Sequence, residues 1–416
     1  MSSKRSPWAW IPTLYFAEGI PYFIVNVISV TMFKRLGMSN GDLALFTSLL
    51  YLPWVIKPLW SPFVDIIRTK RWWILSMQAL ITLGFAALAF TARPGAFALS
   101  LIFFYIVAFA SATHDIAADG FYMLALDERD QSAFVGIRST FYRIASVFGQ
   151  GVIVVCAGLL EEKFGDIPKA WALTLGLSSL LFALLALSHW RFLPKPASDL
   201  PASSSTSSLM GDFARSWTTF FKKKGVWLAL AFMLLYRLPE ALSVKILTPF
   251  LLDPSEAGGL GLTTAQSGLV YGTVGVIALT VGGILGGLFA ARYGLRKSMW
   301  PMSLSLALPC VVYLVMALMQ PLPLWCIYLL VAIDQFGYGF GFTAYMLFMM
   351  QFSEGEFKTS HYAICTAFMA LSMMVPGLFA GWLQEALGYV GFFIIVMVCC
   401  LATIFVTYFA RQRCSS

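Results

Sequence analysis

The sequence predicts an all-α polytopic membrane protein, with twelve transmembrane helices in two six-helix halves and both termini cytoplasmic. Three observations predict this. Of the 416 residues, 59% are hydrophobic and only 12% charged, against roughly 25% charged in soluble domains. Apolar stretches recur along the whole chain, most of them long enough for the ~20-residue helix that crosses a ~30 Å hydrocarbon core. Lysine and arginine crowd onto alternate loops. A transmembrane β-barrel is excluded, because the stretches are continuously apolar and do not alternate.

Twelve spans follow in order, at about 8–33, 44–63, 72–91, 97–125, 133–160, 170–190, 226–252, 264–290, 299–319, 323–350, 361–386 and 389–410. Lys4-Arg5 before an apolar run imitates a signal peptide, but the run reaches Phe33, contains Glu18 and has no small-residue cleavage site. With both termini cytoplasmic, that side collects eighteen lysines and arginines. The opposite side collects only Lys34, Arg35, Arg93, Lys163 and Lys169, as the positive-inside rule requires. The net charge of +8 therefore reflects topology and gives no sign of nucleic-acid binding.

Residues 1–193 form the expected N-terminal half, 194–225 a cytoplasmic connector and 226–416 the C-terminal half. The connector passes through Ser203-Ser-Ser-Thr-Ser-Ser, a flexible-linker composition. It ends with Phe213, Trp217, Phe220 and Phe221 at helical spacing before Lys222-Lys-Lys, which reads as a short helix on the anionic inner leaflet. Ser61-Pro-Phe-Val-Asp65 with its basic cluster is echoed by Gly287-Leu-Phe-Ala-Ala291 and Arg292 six spans later, the mark of a repeat-built transporter. Asp65, Gly287 and Arg138 are read as structural-motif residues. The seven cysteines show no paired spacing, so no metal site, disulfide framework or cofactor is expected.

Counting spans in threes separates them. Spans 3, 6, 9 and 12 hold no acidic or basic residue in their interiors. Spans 1, 4, 7 and 10 hold Glu18, then Asp115 and Asp119, then Arg237, Glu240 and Lys245, then Asp334 beside Gln335. Lys57 of span 2 and Arg138 and Arg143 of span 5 join them. Ionisable groups in a bilayer face protein or water, so one helix of each triplet lines a polar interior and another faces lipid. Glu18, Arg237, Glu240 and Asp334 lie ten to fourteen residues into their spans, which is roughly 15–20 Å and near the midplane. Repeat-built transporters hold substrate and coupling ions there. No Gly-rich phosphate loop follows a strand, so uphill movement calls for an ion gradient, and the titratable acids point to protons.

Asp115 and Asp119 are four apart and share a helix face. Counting outward from the turn near Arg129 puts Asp115 level with Arg143 and Asp119 nearly level with Arg138, which predicts two ion pairs. His114 reads either as a proton relay or as a hydrogen-bonded packing residue. Pro21 frees the carbonyl of Ala17 beside Glu18, and Arg237 and Glu240 at i,i+3 are placed to satisfy each other. The glycines of spans 8 and 10 permit close helix approach.

Several blocks, taken together, carry a resemblance. They are Phe16-Ala-Glu-Gly-Ile-Pro21, Lys57-Pro-Leu-Trp-Ser-Pro-Phe-Val-Asp65, His114-Asp-Ile-Ala-Ala-Asp119, Tyr142-Arg143, Leu235-Tyr-Arg-Leu-Pro239, Gly339-Phe-Gly-Phe-Thr-Ala344 and Gly381-Trp-Leu-Gln-Glu385. With them the chain resembles the major facilitator superfamily, and within it the peptide–acetyl-coenzyme A–drug branch that includes AmpG-type muropeptide permeases. The resemblance implies that superfamily's fold. It also implies proton-dependent import of anhydro-muropeptides, or their sugar core, across a bacterial inner membrane.

The expectation is thus a proton-coupled importer working by alternating access, and not an enzyme. Glu18, Asp115, Asp119 and His114 are its expected proton-coupling and gating residues. Lys57, Arg143, Arg237, Glu240, Lys245, Asp334 and Gln335 are its expected substrate contacts. The expected partners are a small sugar-peptide, protons and the lipid bilayer, with the protein a monomer. Two alternatives stand beside it: another cargo (sugar, acyl-CoA, siderophore or drug), or a non-transporting membrane receptor.

Overall fold

The computed structural model describes residues 6–200 and 206–412, and every regular element among them is helical. Lys4, Arg5, Arg413, Cys414 and the serines at 203–205 lie outside the described residues, as does the side chain of Asp65. Six helices come first: α1 Pro7–Arg35, α2 Asn40–Val64, α3 Lys70–Thr91, α4 Phe97–Ala125, α5 Arg129–Phe164 and α6 Ile167–Phe192. The connector folds as α7, Thr206–Lys222. Then come α8 Val226–Leu252, α9 Thr264–Tyr293, α10 Leu295–Leu318, α11 Leu324–Ser353 and α12 Lys358–Arg411. All but α7 are long and apolar enough to cross a membrane. Within the 54 residues of α12, Gly388 leaves helical geometry at φ 67° and ψ 175°, so the expected spans 361–386 and 389–410 lie on either side of it.

Short polar side chains start the helices. Ser39 Oγ accepts the Asp42 N–H at 3.1 Å, Thr69 Oγ1 that of Trp72 at 3.1 Å and Asp127 Oδ1 that of Asp130 at 2.9 Å. Each pairs an N–H that the first turn leaves unmatched. Asp199, beyond α6, returns to do the same for α3, accepting the N–H of Lys70 at 2.6 Å and of Arg71 at 3.0 Å. Prolines loosen the helices where the sequence predicts it. A π turn, Ile24–Ile28, follows Pro21 in α1. α8 breaks ahead of Leu238-Pro239, leaving Arg237 at φ −103° and ψ 13°, in the sparsely used bridge region.

The described residues fall into two compact units, Met1–Gly37 with Ile56–Gly211, and Met38–Val55 with Asp212–Ser416. In the first, Trp10, Tyr15, Phe121 and Tyr122 centre an aromatic core joining α1 to α4. In its most apolar window α1 is 83% buried, and α6 only 33%. Leu83 and Phe90 of α3 and Leu184 and Leu187 of α6 are exposed, so the charge-free helices carry the lipid-facing surface.

In the second unit, residues 38–55 pack on α8 and α12. Asn40 Nδ2 donates to Gln384 Oε1 at 2.7 Å and the Gly41 N–H to Glu385 Oε1 at 2.8 Å. Gly381 sits so close that a Cβ there would lie 1.9 Å from the Asn40 carbonyl oxygen. α9 and α11 meet through Gly282 and Gly339 in the same way.

The connector forms a helix, as expected, with one ring turned onto protein. Phe220 is fully buried, against Phe352, His361 and Phe368, and His361 Nε2 donates to the Ser216 carbonyl at 3.1 Å. α7 therefore turns Phe220 onto protein, while Phe221 stays exposed. An amphipathic pattern reports that a face is buried, and a neighbouring helix buries it as well as lipid does.

Candidate functional site

The first unit gathers the charges of α1, α2, α4 and α5. Asp119 Oδ1 lies 2.9 Å from Arg138 Nη2 and accepts the Tyr15 hydroxyl at 3.3 Å. The Arg138 guanidinium stacks over the rings of Tyr15 and Tyr122, at 4.7 and 5.4 Å from their centroids. Asp115 Oδ2 lies 3.5 Å from Lys57 Nζ. Glu18 is buried, its Oε2 has no hydrogen-bond partner, and its charged neighbours are Asp119, Asp115, Arg138 and Lys57. α5 reaches α1 here because Gly19 has no side chain: a Cβ would lie 2.7 Å from that of Ala145. Three carboxylates thus face two cations.

The predicted Asp119–Arg138 pair is present, but the predicted Asp115–Arg143 pair is not. Arg143 is half-buried without an ion pair among the described residues, and Lys57 takes its place at Asp115. The reason is rotation about the helix axis. Five residues from Arg138 to Arg143 turn about 140° at 3.6 residues per turn, so a helix showing Arg138 to α4 turns Arg143 away. Counting outward from a loop gives height and not azimuth.

His114 points elsewhere, into a chain of buried side chains across four helices. Gln78 of α3 bridges His114 Nε2 at 3.0 Å and His189 Nδ1 of α6 at 3.0 Å, and His189 Nε2 reaches Thr13 Oγ1 of α1 at 3.1 Å. Gln78, His114 and His189 are all within 1% of full burial. His114 is thus held at Nε2, while its buried Nδ1 has no hydrogen-bond partner. An amide stands between the two imidazoles, and amides do not pass protons as imidazoles do.

In the second unit Arg237 Nε and Nη2 grip Glu240 at 2.8 and 3.0 Å, and Nη2 also donates to the Tyr338 hydroxyl at 2.7 Å. Phe342 lies under the guanidinium at 4.7 Å. Asp334 Oδ2 accepts the Tyr313 hydroxyl at 2.5 Å and Gln335 Nε2 at 3.0 Å. Glu240, Ser243, Tyr271, Tyr313, Asp334 and Tyr338 line one cleft. Lys245, in contrast, is buried with its Nζ donating to the Thr47 carbonyl at 3.1 Å and lying over the Tyr51 ring at 4.9 Å. It fastens residues 38–55. Gly287 has nothing within 4 Å of where a Cβ would be, so it marks no close approach.

Counting charges misses the partners. Tyr15, Tyr122, Tyr313 and Tyr338 enter the sequence as hydrophobic composition, and Gln78 and His189 sit on helices that hold no acid, lysine or arginine in their interiors. Tyr15 had a signal: it stands three residues before Glu18, on the same face of α1.

The family model for the Major Facilitator Superfamily matches residues 13–354. The anhydromuropeptide permease of Escherichia coli K12 is 24% identical over 406 residues, covering 96% of this chain and 78% of that one. A putative transporter, AmpG 4, of Rickettsia conorii is 23% identical over 418 residues, covering 96% and 95%. Among solved structures the chain is similar to the nucleoside transporter NupG (TM-score 0.70, 16% identity, 97% and 98% covered). It is also similar to a bacterial homologue of the human lysosomal transporter Spinster (TM-score 0.72, 14% identity, 99% and 97% covered).

Proposed function

Because the chain belongs to the Major Facilitator Superfamily and is a multi-pass secondary transporter of the bacterial inner membrane, we propose that it imports anhydro-muropeptides or related cell-wall sugar-peptides together with protons. The observation that carries proton coupling is the charge imbalance of the first unit. Glu18, Asp115 and Asp119 against Lys57 and Arg138 leave one negative charge in excess when all are ionised. An uncompensated charge at bilayer depth costs several kcal/mol, and a single proton removes it. Glu18 is the proposed carrier, since its Oε2 is buried with no hydrogen-bond partner. Asp115 and Asp119 act as its gating neighbours, and the Arg143 guanidinium is available to a cargo carboxylate.

The second unit is proposed to take the sugar once the helices part, because in this structure the cleft among Glu240, Asp334 and the tyrosines has only about 20 Å³ of free volume, far below the ~300–1,000 Å³ of a small-ligand site. Its chemistry suits a sugar: hydroxyls donate to carboxylates while apolar sugar faces lie on aromatic rings. Arg237 is spent on Glu240 and Tyr338, so its proposed role is to hold Glu240 in place. The cargo class is supported by the E. coli relative. The proposed protein is a monomer with its termini and connector in the cytoplasm, moving cargo by alternating access.

The test is uptake into right-side-out vesicles carrying the protein. Labelled anhydro-muropeptide should accumulate when a proton gradient is imposed and should fail to do so with a protonophore. Accumulation that ignores the protonophore would remove proton coupling. Entry of a different cargo with no entry of the muropeptide would remove the cargo.

A further inference from the structure

Lys222-Lys223-Lys224 plays no part in the transport site, yet a cavity of about 720 Å³ opens beside it. That volume is in the ~300–1,000 Å³ range of small-ligand sites. Leu228 and Ala229 of α8 and Phe348 of α11 form its apolar wall, and Lys223, Lys224 and Glu354 its polar end. Lys223 already has a task. Its Nζ donates to the carbonyls of Phe352 and Glu354 at 2.6 and 2.8 Å, a cation placed on the negative C-terminal end of α11. Burial holds the Lys223 ammonium below the ordinary lysine range, with the Glu354 carboxylate pulling it back. Lys222 and Lys224 are exposed, beside exposed Phe221 and Trp227. Aromatic and basic side chains together mark the headgroup level of a bilayer.

We propose that this cavity holds one anionic phospholipid, its phosphate on Lys224 at the polar end with exposed Lys222 outside the lining adding its field, and an acyl chain along the Leu228–Phe348 wall. The two ends of the cavity ask for different chemistry. A water-soluble anion gains nothing from the apolar wall, and an uncharged hydrocarbon gains nothing from two exposed ammonium groups. Lys223 is taken up by the main-chain carbonyls of Phe352 and Glu354, which leaves the outer two lysines for a headgroup, each worth about a kcal/mol of attraction to an anionic surface. Lipid binding here does not depend on the cargo, so its failure and the failure of the transport reading are separable.

The experiment uses the purified full chain in detergent and reads its thermal unfolding midpoint with dioleoyl-phosphatidylglycerol, dioleoyl-phosphatidylcholine or soluble glycerol phosphate added. Phosphatidylglycerol should raise the midpoint more than phosphatidylcholine does, and glycerol phosphate should leave it unmoved. The advantage of phosphatidylglycerol should fall to less than half in the Lys222→Gln, Lys224→Gln double variant. It should fall likewise in Leu228→Trp, which fills the apolar wall with the charges intact. It should persist in Arg296→Gln, Lys297→Gln, which removes another basic pair. Equal effects of the two lipids, an undiminished advantage in the double variant, or an equal loss in the Arg296, Lys297 control would overturn the proposal. A shift reproduced by glycerol phosphate would overturn it too, by making the site one for a free anion.

Discussion

Replacing Glu18 by glutamine changes one charge and almost no volume at the centre of the first unit. The wild-type cluster carries three carboxylates and two cations, so neutralising it takes one proton, whereas Glu18→Gln leaves two of each and takes none. One charge moved across 100 mV is worth about 2.3 kcal/mol. With about 1.4 kcal/mol per tenfold in a ratio, one coupled proton raises accumulation roughly 40-fold per 100 mV of proton-motive force over what the same cargo reaches uncoupled, whatever the cargo's charge. In proteoliposomes the variant should lose that factor, while cargo-for-cargo counterflow continues within a few-fold of wild type. Counterflow separates an uncoupled transporter from a misfolded one. A Glu18→Gln protein that keeps that factor and remains sensitive to protonophore would refute the assignment of the proton to Glu18.

Asp119 and Arg138 have side chains 43% and 33% exposed, so solvent screens their attraction. A double-mutant cycle with Asp119→Asn and Arg138→Gln should give a coupling of only about 0.5–1 kcal/mol in unfolding free energy; zero coupling would mean that the pair does not form. Gly339→Ala would set a Cβ 2.0 Å from the Leu279 carbonyl oxygen and should destabilise by about 1–3 kcal/mol. Gly287→Ala, with open space around it, should stay within about 0.5 kcal/mol of wild type, and denaturation of both variants tests the contrast. Gln78→Leu strands His114 and His189 on either side of it, so the unfolding free energy should drop by about 1–3 kcal/mol per unpaired group, and the unfolding midpoint with it. An unchanged midpoint would show that the buried polar chain contributes nothing.

What the sequence made legible was whatever a one-dimensional pattern can carry. Long apolar runs located the helices, the absence of charge on α3 and α6 picked out the lipid-facing pair, and the four-residue spacing of Asp115 and Asp119 put both on one face. Arg237 and Glu240, three residues apart, needed only helix geometry to be paired. What stayed hidden was rotation and reach. Lys57 belongs to α2 and not to the α4–α5 hairpin, so no residue count along that hairpin brings it to Asp115. Lys245 reads in sequence as an intramembrane cation available to cargo, and its partners, Thr47 and Tyr51, lie about 200 residues away in the chain. The tyrosines were hidden for another reason: a hydroxyl at the end of an apolar ring counts as hydrophobic until its partner is known.

The two anchors of the connector decide where this chain can be cut. Asp199 belongs to the first unit, as the cap of α3. Phe220, through its buried ring, and Lys223, through the end of α11, belong to the second. Hydropathy alone would place the cut just before α8. Two fragments made that way would leave Phe220 exposed on the first piece and the last carbonyls of α11 without their cation on the second. A break between Leu200 and Thr206 keeps both anchors with the helices they serve. Fragments co-expressed from that point are the pair that should reassemble.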